Sequence, residues 1–298
     1  MIETLLSWQM RKASRQGLAF DPDSAGFQPR PVGNHPYLLY IHIPFCEQLC
    51  PYCSFNRILF DPAVARKYFG SLRREMEIYQ RLGFRFDALY IGGGTPTVLP
   101  GELGDLLDWA RKAWSIRQVS VETNASHLTP EIVRLLKERG VNRLSVGVQT
   151  FDDGLLSRIG RLQPHGSGQA MQEKLAAVAG VFDTLNVDLI FNLPGQTRDM
   201  LEADIAIIRK RRVDQVTFYP LMASRTVQGD LRARFGNTSS RREKELYNVI
   251  LSRMTGEEYA PASAWCFSRG QGMIDEYIVQ YRDYAGLGSG AFGYMDGT

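Results

Sequence analysis

From residue 37 to about 220, short apolar runs alternate with longer amphipathic stretches, and this rhythm limits the available folds more than any other feature. The runs Tyr37–Ile43, Ala88–Ile91, Gln118–Glu122, Arg143–Val148, Leu185–Ile190 and Gln215–Tyr219 are β-branched or aromatic, and turn residues bound most of them, as expected of strands. Between them, Pro62–Leu82, Gly101–Trp114, Pro130–Arg139 and Thr197–Lys210 repeat apolar residues at helical spacing. Asp61-Pro62 and Thr129-Pro130 each place a cap residue before a proline at the first helical position. Six βα units of this kind predict a parallel sheet with right-handed crossovers. Periodicity alone fits two α/β arrangements, an incomplete (β/α)6 TIM-like barrel and a flat doubly wound sheet. The positions of the polar motifs favour the barrel, because chemistry in barrels collects at strand C-terminal ends.

Flanking segments differ in character. Residues 1–36 read as a helix followed by an extended arm rich in Gly and Pro near its end. After the expected barrel, 37–220, a C-terminal α+β extension over 221–298 holds a basic stretch around Arg232–Lys244, a helix at Arg241–Met254 and a Tyr-rich segment ending AGLGSGAFGYMDGT. No repeat or low-complexity tract interrupts the chain.

Three of the four cysteines, Cys46, Cys50 and Cys53, fall within eight residues directly after the first strand, in YIHIPFCEQLCPYCSFN. Thiolates bunched so closely hold something. A structural zinc site takes four Cys or His ligands, and none of the four histidines lies at a ligand-like spacing downstream. Three thiolates on a cubane iron–sulfur cluster instead leave one iron open to a small molecule. The cluster is the preferred reading, with zinc and buried structural cysteines as alternatives. Cys266, alone in SAWCF, reads as a buried inert thiol, with a ligand or redox role as the alternative.

Further polar and glycine motifs sit at successive strand ends. Gly92-Gly93-Gly94-Thr95 lets backbone approach a ligand closely, although glycines there serve equally for a tight turn. Tyr52, just before the last clustered cysteine, either stacks on an adenine or simply packs. Glu122, Gln149 and Asp188 can hold a ribose hydroxyl or an ammonium group, and Arg161 can pair with a carboxylate. Each alone is more commonly a cap or salt-bridge residue; their placement at successive strand ends favours a shared site.

Taken in order, YIHIPFCEQLCPYCSFN, IGGGTPT, VETN, GVQTF, IGRLQ and VDLIFNLPGQT resemble the oxygen-independent coproporphyrinogen III oxidase family of radical S-adenosylmethionine (SAM) proteins. The resemblance implies a [4Fe–4S] cluster on Cys46, Cys50 and Cys53, with SAM chelating the unique iron. It assigns Tyr40, Tyr52, Phe55, Gly93, Gly94, Thr95, Glu122, Gln149, Arg161 and Asp188 to cofactor binding. It further implies reductive cleavage of SAM to a 5′-deoxyadenosyl radical, a tetrapyrrole substrate whose propionate loses CO2, and an electron donor such as flavodoxin or ferredoxin.

This chain departs from the family pattern in three ways. Phe55 stands where the oxidase proper has a further cysteine, so CPYCSFN is closer to the heme-chaperone branch. That branch has a His-Asn…Tyr-Trp motif before the closing glycines, where this chain has MIDEYIVQYRDY. Family members also continue well beyond the closing segment, so the resemblance implies a fragment or a reduced substrate domain. An oxidase-like methyltransferase using a second SAM is a further alternative.

Composition removes other classes. A formal charge of +3 is too small to argue for nucleic acid and suits a carboxylate-bearing substrate. No apolar run reaches membrane-spanning length. The N-terminal stretch lacks the layout of a secretory signal, so clustered reduced thiols point to a cytoplasmic protein.

Overall fold

Every apolar run becomes a strand, and five of the six extend past their apolar stretch. The computed structural model describes residues 29–31, 35, 37–222, 229, 231, 233, 236, 239–256 and 258–295. The helix and arm expected over 1–36 lie outside the described residues except for 29–31 and 35, as does most of the basic stretch before residue 239. Every strand and helix named here belongs to the compact unit Val32–Thr298.

The six principal strands are β1 (Tyr37–Ile43), β4 (Phe86–Gly93), β5 (Gln118–Asn124), β6 (Arg143–Gln149), β7 (Thr184–Phe191) and β8 (Gln215–Pro220). Between β1 and β4 lies a short ladder of β2 (Phe45–Cys46) and β3 (Ile58–Leu59). Three short strands come late in the chain: β9 (Ala260–Pro261), β10 (Cys266–Ser268) and β11 (Tyr284–Leu287). Helices α1 (Pro62–Arg81), α2 (Pro100–Ala113) and α3 (Pro130–Glu138) are followed by α4 (Asp153–Arg158), α5 (Leu162–His165) and α6 (Gly168–Val178). Then come α7 (Arg198–Arg211) and α8 (Ser240–Met254). The caps form as the sequence predicts: Asp61 accepts from the N–H groups of Ala63 and Val64, and Thr129 from that of Ile132.

Strand order decides between the two arrangements. The sheet runs β11-β1-β4-β5-β6-β7-β8-β10-β9, so β1 and β4 to β8 lie side by side in chain order and all pair in parallel. A doubly wound sheet needs a point where that order reverses, and none occurs here. The outermost strands, β11 and β9, do not pair with each other, so the barrel is incomplete. β11 extends the β1 edge in parallel, and β10 extends the β8 edge in antiparallel.

Alternation along each strand separates two environments. Leu39, Ile41, Leu89, Ile91, Val119, Val121, Leu144, Val146, Val187, Leu189, Val216 and Phe218 join the core shared with the helices, each buried side chain contributing about 1.5–3 kcal/mol. Their neighbours on the other face are mostly polar: Tyr40, Tyr90, Ser120, Glu122, Arg143, Ser145, Asn186, Asp188, Gln215 and Thr217. They bond to one another across strands, as in Arg143 to both Ser120 and Gln215. The segment 269–283 connects β10 to β11, and so links opposite edges of the sheet. It meets this polar face through the Met273 carbonyl, which accepts from Gln215, and through Tyr281, which donates to Gln118.

Where β6 ends, the β6–β7 register shifts and Gln149 takes a positive φ of 76°. A left-handed conformation costs a non-glycine residue about 1–2 kcal/mol, so the turn needs support. Asp204 of α7, almost wholly buried, accepts from the Thr150 hydroxyl and the Phe151 N–H, both at 2.8 Å. Asp204→Ala leaves both donors buried without an acceptor and should lower unfolding stability by about 2–4 kcal/mol. Burial raises the Asp204 carboxyl from 3.8 to about 7. Its contribution is therefore complete below the unfolded value and is lost as pH rises through the folded one. Melting curves should show Asp204→Asn gaining on the wild type between about pH 4 and pH 7.

Candidate cluster and cofactor site

The cysteine loop is tied down at both ends. Phe45 and Cys46 pair with Ile58 and Leu59, closing the loop at its base. Within it, the Arg57 guanidinium donates to the carbonyls of Cys50 and Cys53, both at 2.7 Å. The Asn56 carbonyl accepts from His42 Nε2 at 2.7 Å, which fixes that ring as the Nε2–H tautomer. His42 Nδ1 therefore accepts from the Tyr40 hydroxyl at 2.9 Å. Burial lowers the His42 pKa and keeps the ring neutral. The closing glycine segment adds a clasp, with the Asn56 amide donating to the Ser289 carbonyl at 2.7 Å.

The glycine strand end lies directly against this loop. Gly94 N–H donates to the Ile43 carbonyl at 2.8 Å, and Thr95 N–H to that of Phe45 at 2.7 Å. A Cβ on Gly94 would stand 2.6 Å from the Phe45 oxygen and 2.9 Å from Cys46 Sγ, so only glycine allows the approach. The Thr95 hydroxyl points to Cys46 Sγ at 4.0 Å. Burial, opposed by the Thr95 hydroxyl and aided by the neighbouring Cys53 and Cys50, raises the Cys46 thiol to about 11.

Arg161 closes another side. Its guanidinium is buried and donates to the Gly147 carbonyl at 2.7 Å, with Nη1 3.6 Å from Cys50 Sγ and 3.4 Å from the Tyr52 hydroxyl. Its Nε is buried without a partner. The Tyr52 ring packs with Leu155, Ile159, Leu193, Leu221 and Leu231. Phe55 is 70% exposed on the loop surface.

Glu122 and Asp188 sit within β5 and β7, deeper than the sequence pattern placed them, because both strands extend beyond their apolar runs. Glu122 accepts from the Gly93 N–H at 3.0 Å and lies 2.8 Å from the Tyr90 hydroxyl. Burial raises its carboxyl to about 7, with the Asp275 charge adding to the shift. Asp188 accepts from Ser145 and Asn186, both at 2.8 Å, and burial together with Asp275 raises it well above the usual range. Both residues remain partly accessible. The site thus unites Cys46, Gly93, Gly94, Thr95 and Glu122 along one line of contacts, and Cys50, Tyr52 and Arg161 along another. Gln149 sits on its own strained turn, with its amide against Gly147.

Sequence reasoning missed His42, Asn56 and Arg57, which hold the loop, and the buried pair of Arg143 and Asp275, 2.9 Å apart. Removing either member of such a pair costs about 3–5 kcal/mol. Arg143 opens a strand that the sequence marks, but no periodic signal marks Asp275.

The residues fit an iron–sulfur cluster better than a single zinc ion. Among the described residues no three Cys, His, Asp or Glu side chains converge on one ion. His42 and His127 have both ring nitrogens engaged elsewhere, which removes them as a fourth ligand. A buried cation beside Cys50, with one donor unspent, suits an anionic cluster and a ligand carboxylate. Cys266 is fully buried, in keeping with an inert thiol.

A three-cysteine loop bonded to a glycine strand end, at the mouth of an incomplete barrel, suits an iron–sulfur cluster with one corner kept for a small ligand. The model of the Radical SAM superfamily matches residues 40–208. The heme chaperone HemW of Bacillus subtilis is 34% identical over 272 residues, covering 87% of this chain and 71% of that one. An anaerobic coproporphyrinogen III oxidase of Cereibacter sphaeroides is 36% identical over 203 residues, 64% of this chain and 44% of its own. In fold, the chain is similar to coproporphyrinogen III oxidase (HemN) from Escherichia coli, with a TM-score of 0.72 at 24% identity over 87% of this chain and 64% of that one. The chain belongs to the radical SAM superfamily, in its oxygen-independent coproporphyrinogen III oxidase-like family. Its cofactors are accordingly a [4Fe–4S] cluster and SAM. No described helix is long and apolar enough to cross a membrane.

Gly94→Ala tests the contact between loop and strand end. Iron and sulfide content after anaerobic reconstitution should fall several-fold, while the far-ultraviolet circular dichroism stays that of the wild type. Full cluster content in this variant would contradict the role given to Gly94.

Proposed function

We propose that the protein reductively cleaves SAM and directs the radical to a porphyrinogen-like, propionate-bearing tetrapyrrole. The observation that carries this reading is the direct bonding of the cysteine loop to Gly94 and Thr95, with Glu122 held on the Gly93 amide. The Cys46 thiol, a glycine cradle and an acidic group thereby lie along one line of contacts. Relatives named as oxidases and as heme chaperones both support a tetrapyrrole partner.

When bound, the cluster supplies the electron that splits the sulfonium into methionine and a 5′-deoxyadenosyl radical. Cys46, Cys50 and Cys53 would hold three irons. Gly93, Gly94 and Thr95 would line the methionine end, where backbone without side chains permits close approach. Glu122 would take its ammonium, and Arg161 would meet a carboxylate through its free Nε. Tyr40, Gln149 and Asp188 would complete the pocket, with Phe55 covering it from the loop. The apolar packing around Tyr52 keeps water from one flank of the cluster. A low-potential donor such as flavodoxin or ferredoxin would supply the electron.

A second reading, a heme-binding chaperone, is favoured by Phe55 standing where the oxidase proper has a cysteine. Against it, the segment that stands in place of that branch's histidine motif has its start packed into the barrel, with Ile274 only 1% exposed. Anaerobic incubation with SAM, reductant and coproporphyrinogen III should give methionine and 5′-deoxyadenosine in equal amounts, together with a vinyl-bearing product. S-Adenosylhomocysteine with a methylated product would instead mark a methyltransferase. A Soret shift on heme titration without any SAM cleavage would mark the chaperone.

A further inference from the structure

The segment that replaces the chaperone histidine motif has its own place in the fold. Asp275 reaches the polar face of four strands at once. It lies 2.6 Å from the Tyr90 hydroxyl of β4, 2.9 Å from the Arg143 guanidinium of β6, 3.0 Å from the Asn186 amide of β7 and 2.8 Å from the Thr217 hydroxyl of β8. Its side chain is 6% exposed, and Arg143 is 3% exposed. Through Tyr90 it is one hydroxyl away from Glu122, which in turn holds the Gly93 amide.

The tyrosine between the two carboxyls is one proton short. Its hydroxyl carries a single hydrogen but lies between two carboxyl oxygens, at 2.8 Å from Glu122 and 2.6 Å from Asp275. One of the two carboxyls must therefore carry a proton and donate it to the tyrosine oxygen. Asp275 faces Arg143 and three further donors, so it is the ionised member, and the proton resides on Glu122. We propose that Asp275 is a positioning residue for the cofactor pocket: through Tyr90 it keeps a proton on Glu122 in the ligand-free protein, and a cationic ligand over Gly93 displaces that proton.

The charges agree with the geometry. Burial works to raise Asp275, yet Arg143 and the surrounding donors hold it at about 2. Glu122 is raised to about 7, with Asp275 the second cause after burial. The groups facing Glu122 are Tyr40 of β1, Tyr90 of β4, Arg143 of β6, Asp188 of β7, Tyr219 of β8, and Asp275 and Tyr277 of the 269–283 segment. Burial raises all four tyrosines, so they stay neutral near neutral pH. Burial together with Asp275 raises Asp188 well above its ordinary value, Glu276 lies near both Asp275 and Arg143, and Asp275 and Arg143 form the ion pair of the network.

This inference rests on the reading that Glu122 binds the ammonium end of SAM. The test is SAM binding to the oxidised, cluster-loaded protein without reductant, so that no turnover occurs. Calorimetry in buffers of different ionisation enthalpy measures both affinity and proton release across pH. Wild type should bind SAM more tightly as pH rises through about 7, releasing close to one proton below that point. Asp275→Asn should move the midpoint down by about one unit or more, since a like charge is removed. Tyr90→Phe, a mild change, removes the hydroxyl that accepts the Glu122 proton and links it to Asp275, and should likewise move the midpoint down. A purely structural role would lower affinity in either variant without shifting the midpoint, and that result would overturn the proposal. If the wild type holds its cluster but binds no SAM, or if Glu122→Gln binds it as tightly as wild type, the cofactor reading itself fails.

Discussion

Two backbone hydrogen bonds, from Gly94 to Ile43 and from Thr95 to Phe45, carry the rest of the site. They attach the turn after β1 to the end of β4, so that the loop bearing the cysteines cannot move away from the glycine segment. The attachment works only because Gly94 lacks a side chain where Cys46 Sγ and the Phe45 carbonyl stand. Everything else around the loop serves the same end. Arg57 gathers two cysteine carbonyls, His42 takes the Asn56 carbonyl, and Ser289 of the closing segment holds the Asn56 amide. A loop restrained at this many points loses little entropy on binding a cluster, which favours a preformed site over one organised by its ligand.

Below that mouth the barrel interior is a hydrogen-bonded polar network beside a small apolar cluster of Leu38, Ala88, Tyr90 and Met273. The helices cover the apolar face of the sheet, and the other face collects Glu122, Arg143, Asp188 and their neutral partners. Among the described residues, the carboxyl groups of Glu122, Asp188, Asp275 and Glu276 gather around the Arg143 guanidinium there. Such an imbalance is unfavourable without compensating protons or a cation. A sulfonium ligand with an ammonium group supplies positive charge to this environment, so the electrostatics of the interior and the proposed cofactor are complementary.

The sequence made much of this visible, for reasons tied to particular residues. Strands such as Arg143–Val148 announce themselves because one face is buried against helices, and Asp61 and Thr129 mark helix starts because their side chains satisfy free N–H groups. The cysteine spacing and the glycine triplet were legible as chemistry. β10 and β11 were not, since Cys266–Ser268 and Tyr284–Leu287 are short and owe their strand form to pairing with β8 and β1. Asp275 was also hidden: a single aspartate in a Tyr-rich segment has no periodicity, and its importance comes from four strands meeting it in space. The strained Gln149 turn depends on Asp204, which lies more than fifty residues away in the chain.

The central claim is that three thiols hold a four-iron cluster and leave one corner for SAM. Mössbauer spectroscopy of protein reconstituted with isotopically enriched iron examines that corner directly. The account predicts three irons of one kind and one distinct iron, with only the distinct iron changing its signal when SAM is added. Four equivalent irons that ignore SAM, or a preparation that takes up zinc in place of iron, would contradict it.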